Sequence, residues 1–280
     1  MRTKVLIIAA VLVLMLVMVT PVAAVQFGEK DGNGHPYVGL VVFFKGDSPL
    51  WRCTGTLISP TVFLSAGHCT GIDPALGYGP DHAEVWFAPG PIPRGNLPVG
   101  ATSCTGYTGY PCKGDVGGTP HPHPLWNGYL TIPNTHDVGY VTLDTPQNNR
   151  GFGKVAPVGY LDQLATRRGL QNMEFTVVGY GLQSVKPVEV GLRERYVGTV
   201  SLVNLRSNLT DGYNVQQSSD PGLGNGPGGT CFGDSGGPVF HTSGGETVIV
   251  AVNSFVLNLN CRGSGFGFRL DTQLVHDFLP

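Results

Sequence analysis

The sequence has few charged side chains, and its positive and negative charges nearly cancel. Of 280 residues, 17 are Lys or Arg and 19 are Asp or Glu, so the formal net charge is −2. A chain without a strong field of one sign has no long-range attraction for nucleic acid or for anionic lipid. We therefore expect no nucleic acid as a partner, and no membrane once the N-terminal segment has been removed.

Long apolar runs are missing except at the N-terminus. There, Arg2 and Lys4 precede an apolar run over 5–19, and small residues follow it up to Ala24. This run is shorter than the roughly 20 residues that a membrane-spanning helix needs, which disfavours the alternative of a retained anchor. The sequence therefore predicts a secretory signal peptide over 1–24, cleaved after Ala24, and a secreted, extracellular chain over 25–280.

Amphipathic helical periodicity and internal repeats are also scarce. Instead, 42 glycines and 22 prolines separate short runs rich in Val, Tyr, Phe and Thr, a pattern that predicts the strands of an all-β barrel or sandwich. The predicted strands cover 37–44, 56–64, 83–87, 139–143, 175–178, 196–205, 238–240 and 247–255. The segment 71–134, which is irregular and rich in Pro and Gly, is predicted to form long surface loops.

One helix is predicted at the C-terminus. Over 271–279, Asp271 is placed as a possible N-cap, and Leu274, Val275 and Phe278 are spaced to face a core. The sequence therefore predicts a short terminal helix on an otherwise all-β chain.

The cysteines lack a C-x-x-C pair. An even number of cysteines in an exported chain favours disulfides over metal ligation, and Cys112 with His121 or His123 is only a weak metal pattern. We therefore expect no metal and no cofactor, while the pairing stays open on spacing alone. The six cysteines are Cys53, Cys69, Cys104, Cys112, Cys231 and Cys261.

The strongest chemical signal is Gly-Thr-Cys-Phe-Gly-Asp-Ser-Gly-Gly-Pro over 229–238. A glycine-rich turn of this kind can expose the hydroxyl of Ser235 and aim backbone N–H groups at one point. A serine hydroxyl needs a base to become a nucleophile, and the attacked carbonyl oxygen needs hydrogen-bond donors. The N–H groups of Gly233 and Ser235 are the candidate donors.

Two further segments carry a candidate base and a candidate acid. Leu-Ser-Ala-Gly-His-Cys over 64–69 presents His68 beside Cys69, and His-Asp-Val-Gly-Tyr-Val-Thr-Leu over 136–143 places Asp137 before an apolar strand. Alone, such a histidine is more often structural, and such an aspartate is usually a turn or cap residue.

Together, these three segments resemble the signature segments of chymotrypsin-like serine proteases, in the same order. The similarity runs from about residue 36 to the C-terminus. The resemblance implies two antiparallel six-stranded β-barrels, at roughly 36–145 and 146–270, with the active site between them. It also implies a serine endopeptidase that acts on protein or peptide substrates.

The same resemblance implies a role for each site residue. His68 is expected to act as general base and then general acid toward Ser235 and the leaving amine, while Asp137 orients and stabilises its ring. Cys53 is expected to pair with Cys69 and Cys231 with Cys261, which leaves Cys104 with Cys112.

The substrate pocket is expected to lack a carboxylate. In the family, its walls resemble 229–231, 254–256 and 265–268, and a protease selecting Arg or Lys usually has an acid where Gly229 stands, six residues before Ser235. We therefore predict a preference for uncharged aliphatic or aromatic side chains, with Val256 narrowing the entrance. The candidate pocket residues are Gly229, Thr230, Ser254, Phe255, Val256 and Gly265.

The sequence departs from the family pattern at its N-terminus. Members often become active when a new N-terminus pairs with the aspartate before the nucleophile, here Asp234. This chain offers Val25-Gln26-Phe27-Gly28, which matches the usual segment poorly and has no basic cleavage site before it. Our hypothesis is that signal cleavage itself exposes the Val25 amine to pair with Asp234; alternatively, Asp234 has another partner.

Two smaller features lie outside the signature segments. The gap of 137 − 68 = 69 residues between His68 and Asp137 is longer than usual, which predicts insertions around the cleft. Asn208 begins an Asn-Leu-Thr tripeptide that fits a glycosylation acceptor.

Two other functions compete with this interpretation. Residues 233–237 also fit the G-x-S-x-G elbow of α/β-hydrolases, but such an esterase needs a helix after the serine and leaves the His68 segment unexplained. A catalytically silent, protease-like binding protein is the second alternative, although such proteins generally lack a triad member.

Overall fold

The computed structural model describes residues 25–165, 173–219 and 228–280. The predicted signal peptide, 1–24, lies outside the described residues. The strands in these ranges are β1 (Glu29–Lys30), β2 (Val38–Lys45), β3 (Ser48–Ser59), β4 (Val62–Ser65), β5 (His82–Trp86), β6 (Val116–Pro122), β7 (Gly139–Leu143), β8 (Glu174–Gly179), β9 (Tyr196–Asn204), β10 (Asn214–Ser218), β11 (Pro238–Ser243), β12 (Glu246–Val256) and β13 (Ser264–Arg269). The helices in the same ranges are α1 (Gly67–Thr70), α2 (Tyr160–Ala165) and α3 (Gln273–Phe278).

The first half of the chain forms a closed antiparallel barrel in the order β2, β3, β4, β7, β6, β5. Strand β2 is almost continuously apolar because both of its faces are covered. Val41 and Phe43 pack in one buried cluster with Phe63 and Val141. The alternate residues Leu40, Val42 and Phe44 pack in another cluster.

Strand β6 corrects the prediction of surface loops over 71–134. Its seven residues pair with β5 and β7 and complete the barrel. Its Gly-Gly pair and two prolines hide the alternation by which strands are predicted. A Cβ at Gly118 would lie 2.6 Å from the carbonyl oxygen of Thr142, so this close strand packing requires glycine.

The second half also forms a barrel, in the order β9, β10, β13, β12, β11, β8, and pairing between β8 and β9 closes it. The N-terminal strand β1 pairs with β9 outside this ring. Fully buried Val177, Val200, Val215 and Val239 share its core cluster.

Strands β10 and β13 were not predicted. The first is mostly polar, Asn-Val-Gln-Gln-Ser, and the second alternates glycine with phenylalanine, Ser-Gly-Phe-Gly-Phe-Arg. Glycine has a low strand propensity, yet at Gly267 a Cβ would lie only 3.0 Å from that of Ala251. Close packing in the barrel therefore overrides local preference at this strand.

A shared apolar cluster joins the two barrels. Val38 and Leu64 from the first pack with Phe240 and Val252 from the second, and α3 covers this cluster with buried Val275. The helix is capped by the side chain of Thr272, which accepts a hydrogen bond from the Val275 N–H.

The prediction of Asp271 as the N-cap is therefore wrong. The Asp271 carboxylate is instead bound by the guanidinium of buried Arg269 and by the N–H of Leu161. A buried arginine needs a negatively charged partner. Asp271 therefore pairs with Arg269, and Thr272 caps the helix instead.

The described residues form three disulfides, of which the first joins strand β3 to helix α1. They join Cys53 to Cys69, Cys104 to Cys112, and Cys231 to Cys261. None of the helices in the described ranges has the length and apolar character needed to cross a bilayer. The predicted fold of two six-stranded barrels with a short C-terminal helix is confirmed.

Candidate active site

His68 lies on the single-turn helix α1, directly after β4 of the first barrel. The disulfide between Cys53 and Cys69 fixes this turn to β3. The preceding residue, Gly67, packs against the backbone before β7: a Cβ there would lie 3.1 Å from the carbonyl oxygen of His136. This close approach brings the His68 segment beside Asp137.

The His68 ring is held by the Asp137 carboxylate. Its Nδ1 lies 2.9 Å from Oδ2 and 3.1 Å from Oδ1, and the His68 backbone N–H donates to Oδ1 at 2.7 Å. The His68 side chain remains 29% exposed, whereas that of Asp137 is completely buried. Asp137 therefore anchors the inner edge of a ring whose other edge faces the cleft.

Charge and hydrogen bonding shift the pKa values of both groups. Burial alone raises the pKa of Asp137, but the charge of His68 and several hydrogen bonds hold it below its usual range. Burial lowers the pKa of His68, but the Asp137 charge and hydrogen bond raise it overall. The pair therefore favours an ionised carboxylate next to an imidazole that accepts a proton readily.

Ser254 adds a hydrogen bond to this pair from the second barrel. Its hydroxyl donates to Asp137 Oδ2. Sequence analysis assigned Ser254 only to the pocket wall, because a contact between residues 117 positions apart leaves no local signal. Asp137 is thus held by groups from both barrels.

Ser235 lies in the glycine-rich turn before β11, close to the first barrel. The Thr54 N–H donates to the Ser235 carbonyl at 2.8 Å. The next residue, Gly236, has a φ of +77°, and a Cβ there would lie 2.1 Å from Ser65 Oγ, so only glycine fits. Side chains of Ser235 and His68 line the same cavity, and within the described residues no direct hydrogen bond joins them.

The candidate oxyanion donors belong to the same turn. Gly233 has a φ of +96°, and its carbonyl accepts a hydrogen bond from the Thr54 hydroxyl at 2.7 Å. Neither the Gly233 N–H nor the Ser235 N–H has an acceptor among the described residues. Both amides are therefore available to a bound oxygen.

Asp234 is completely buried behind this turn. Its carboxylate accepts the N–H groups of Gly181 at 2.8 Å and Cys231 at 2.9 Å. Burial raises the pKa of Asp234 to about 7, although these N–H groups and the charge of Arg52 lower it. A Cβ at Gly181 would lie 2.4 Å from the carboxylate, so the fold encloses this group tightly.

The N-terminal residues of the described chain are inserted in the second barrel. Val25 is fully buried in its core cluster. Gln26 pairs with Gly229, whose N–H donates to the Gln26 carbonyl at 3.0 Å. Residues 25–26 therefore pack against the segment that leads into the Ser235 turn.

Four of the six candidate pocket residues line a cavity of about 280 Å³ beside Ser235: Thr230, Ser254, Phe255 and Val256. Gly229 and Gly265 do not line it. A Cβ at Gly265 would lie 2.8 Å from Ser219 Oγ, so this glycine packs tightly against its neighbours. No acidic residue is among the described lining residues.

A second cavity, of about 570 Å³, adjoins the same His68 and Ser235 side chains. Its further walls were missed by sequence reasoning, although seven of its lining residues lie in the long gap between His68 and Asp137. The further walls include Trp51, Arg52, Ile72, Asp73, Trp126 and Tyr129. The insertions predicted from that gap therefore contribute to the cleft.

The candidate metal-ligand group found in the described residues includes His68 itself. Within the described residues, the one group of three potential metal ligands is Cys53, His68 and Cys69, in which the two sulfur atoms are bonded to each other. Ser235 is followed by strand β11 rather than by a helix, which is not the strand-to-helix elbow of an α/β-hydrolase.

Comparisons with known proteins agree with this architecture. A family model described as Trypsin matches residues 120–278. Among solved structures, HL collagenase is similar with a TM-score of 0.61 and 16% sequence identity, over 88% of this chain and 94% of that chain. The structural similarity at this identity supports the fold alone. A search of curated proteins found no match.

Proposed function

Because the chain belongs to the trypsin family of serine-type endopeptidases, we propose that it hydrolyses protein or peptide substrates with His68, Asp137 and Ser235 as its catalytic triad. The observation that carries this proposal is the paired His68 and Asp137, which border a cavity that Ser235 also lines. A hydroxyl, an imidazole and a buried carboxylate are the three side-chain groups that this kind of acyl transfer uses.

The reaction begins when His68 takes the hydroxyl proton of Ser235 as its Oγ attacks the substrate carbonyl. Nδ1 of His68 donates to Asp137, so Nε2 is the nitrogen that accepts this proton. The imidazolium then gives the proton to the leaving amine as the C–N bond breaks, and an acyl ester remains on Ser235. Water, deprotonated by His68, hydrolyses that ester and restores the hydroxyl.

Asp137 keeps its charge throughout. Its lowered pKa supports this role, because a carboxylate that remains ionised stabilises the adjacent imidazolium. The negative oxygen formed on the substrate is bound by the N–H groups of Gly233 and Ser235. The Thr54 hydroxyl helps to orient this turn through the Gly233 carbonyl.

The side chain before the scissile bond is uncharged in preferred substrates. The small cavity is lined by apolar, hydroxyl and amide side chains together with His68, and Val256 is one of its walls. We propose that Val256 narrows its entrance. No carboxylate there compensates a buried lysine or arginine. In a peptide series that differs only at this position, aliphatic or aromatic residues are cleaved fastest, and strong selection for arginine contradicts the assignment.

The active form arises when the signal peptide, 1–24, is removed during secretion. The new amine of Val25 then pairs with Asp234, without a separate propeptide step. Two observations support this step: Val25 is fully buried beside the Ser235 segment, and Asp234 is a buried carboxylate without a contacting cation in the described chain. A buried carboxylate of this kind is stabilised by a positive partner.

Peptide-library profiling tests the proposed activity. The protein that begins at Val25 is incubated with a diverse library, and cleavage sites are identified by mass spectrometry beside a Ser235→Ala control. We expect cleavage after uncharged residues by the parent and none by the variant. No cleavage by the parent, or equal cleavage by both proteins, contradicts a Ser235 peptidase.

A further inference from the structure

Two arginines line a recess made of two neighbouring cavities, the first of which Ser235 also lines. Arg52 and Trp51 line the larger cavity with Ser235, and both also line an adjoining cavity of about 360 Å³. Arg94 and Tyr110 belong to the wall of this adjoining cavity. The two cavities thus share the Arg52 side chain as a common wall.

Among the described residues, neither guanidinium group is ion-paired, although the charge of Arg52 acts on buried Asp234. Within the described residues, neither Arg52 nor Arg94 has a carboxylate within 4.0 Å or a side-chain hydrogen bond, unlike Arg195 and Arg269, which are ion-paired. No acidic residue lines the adjoining cavity in the described part of the chain. Unpaired charges of one sign in a recess attract the opposite charge.

A third cation, Arg193, adds positive charge near the adjoining cavity. The Arg193 guanidinium lies 5.0 Å from the ring centre of Tyr110, and its Nε donates to the carbonyl of Ile92. No carboxylate lies within 4.0 Å of Arg193 in the described residues, so its positive charge adds to the potential beside Tyr110, which lines the cavity.

The position of Arg52 relates this recess to the scissile bond. A Cβ at Gly233, one of the proposed oxyanion donors, would lie 3.5 Å from Arg52 Nε. The acyl side chain of a substrate is assigned above to the small cavity with Phe255 and Val256, which Arg52 does not line. The leaving-group part of the peptide therefore extends along Trp51 and Arg52.

One carboxylate also lines the larger cavity. Asp73 Oδ1 accepts a hydrogen bond from the Ala75 N–H, and Asp73 does not line the adjoining cavity with Arg94. Positive charge consequently dominates where the recess continues past Arg52.

We propose that Arg52 and Arg94 form a leaving-group subsite that selects an acidic side chain within the first three residues after the scissile bond. Three extended residues span roughly 10 Å, so each of the first three positions after the scissile bond is tested separately. This inference rests on the proposed peptidase function, and it names the substrate class that the same site prefers.

The test uses peptides that differ only by Glu, Gln or Lys at each of these three positions. For the protein that begins at Val25, we expect kcat/KM for the best Glu position to exceed that for Gln about fivefold and that for Lys more strongly. The Glu preference falls as salt is raised, because partly exposed charges are screened. A ratio of one, or a preference for Lys, overturns the proposal.

Charge-reversal variants assign the selectivity to residues. Arg52→Glu is expected to reverse the preference toward Lys, and Arg94→Glu to reduce it, whereas Arg206→Glu, which alters an exposed turn outside both cavities, leaves it unchanged. Ratios within one variant cancel any general loss of activity, including one that arises because Arg52 lies near Asp234. Unchanged selectivity in both Arg52→Glu and Arg94→Glu overturns the assignment.

Binding to the Ser235→Ala protein separates this inference from the peptidase proposal. Fluorescent Glu peptides are expected to bind more tightly than the matched Gln peptides, and Arg52→Glu in the same background removes the difference. If the parent protein cleaves nothing but this discrimination persists, the subsite stands and the peptidase proposal fails. Equal binding of Glu and Gln peptides counts against the subsite itself.

Discussion

Asp137 and Asp234 are both completely buried carboxylates at the candidate site, yet their surroundings move their pKa values in opposite directions. The pKa of Asp137 is lowered, whereas that of Asp234 is raised to about 7. Burial favours the neutral acid in both cases. The difference therefore arises from their partners.

Asp137 has all of its partners within the folded chain. The His68 ring and backbone bind it from one barrel, and the Ser254 hydroxyl binds it from the other. Asp234 accepts two backbone N–H groups, and no cation of the described residues lies within ion-pair distance of it. Folding alone thus supplies the partners of Asp137, whereas for Asp234 we propose that the Val25 amine is the positive partner that completes its site.

The largest expected effect comes from Asp137→Asn. An amide cannot stabilise the imidazolium and favours the wrong ring tautomer, so kcat is expected to fall about 10⁴-fold. Active-site-titrated peptide hydrolysis measures this loss, and thermal unfolding of the same sample serves as the control for folding. A folded variant that loses less than tenfold removes Asp137 from the triad.

The second-largest loss of activity is expected when the Val25 amine is kept away from Asp234. A Gly-Ser extension before Val25 prevents its amine from entering the protein, and breaking a buried ion pair costs about 3 kcal/mol or more. We expect activity to fall about 100-fold relative to the protein that begins at Val25. Full activity in the extended protein contradicts the proposed pairing of Val25 with Asp234.

The third prediction uses pH to compare the two carboxylates in the extended protein. The folded-state pKa of Asp234, about 7, lies above the ordinary value of 3.8, so the folded state binds more protons between these values. The free energy of unfolding of the extended protein, compared with that of its Asp234→Asn variant, therefore decreases by about 1.4 kcal/mol per pH unit across that range and is constant above it. Denaturant unfolding at several pH values measures this slope.

For Asp137, the slope of the unfolding free energy against pH has the opposite sign in the same experiment. Because its folded-state pKa is lowered, the stability that it contributes is present above about pH 4 and is lost as the pH falls through the folded pKa.

In the protein that begins at Val25, pairing of the Val25 amine with Asp234 is expected to abolish the pH slope that Asp234 causes. Identical slopes with and without the extension contradict a role for the amine.

The smallest effect is expected for Ser254→Ala. The variant loses one of several hydrogen bonds to Asp137, and water partly replaces the hydroxyl, so kcat/KM is expected to fall about fivefold, or about 1 kcal/mol. Steady-state hydrolysis measures the change, and Ser254→Thr, which keeps a hydroxyl, is the matched comparison. An equal loss in both variants assigns the effect to packing.

The sequence predicted the fold, and it pointed to candidate site residues, because the three signature segments are local. Each one places a reactive side chain beside residues that build its turn, such as Gly67 before His68 or Gly236 after Ser235. The strand prediction failed at β6, β10 and β13, where glycine, proline or polar residues obscure alternation. Barrel closure, rather than local propensity, determines those strands.

Contacts between distant segments could not be predicted from the sequence pattern. The Ser254 hydroxyl reaches Asp137 across 117 positions, and the Thr54 hydroxyl reaches the Gly233 carbonyl across 179. No periodicity relates such pairs, since they arise where the two barrels meet. The recess along Arg52 and Arg94 was hidden for the same reason.

Covalent labelling with a fluorophosphonate tests the central claim most directly, because only an activated serine reacts rapidly with it. Intact mass and peptide mapping of the protein that begins at Val25 should show one adduct, on Ser235, and His68→Ala should slow its formation by orders of magnitude. Labelling of another residue, or equal rates with and without the His68 imidazole, contradicts a serine that is activated by this triad.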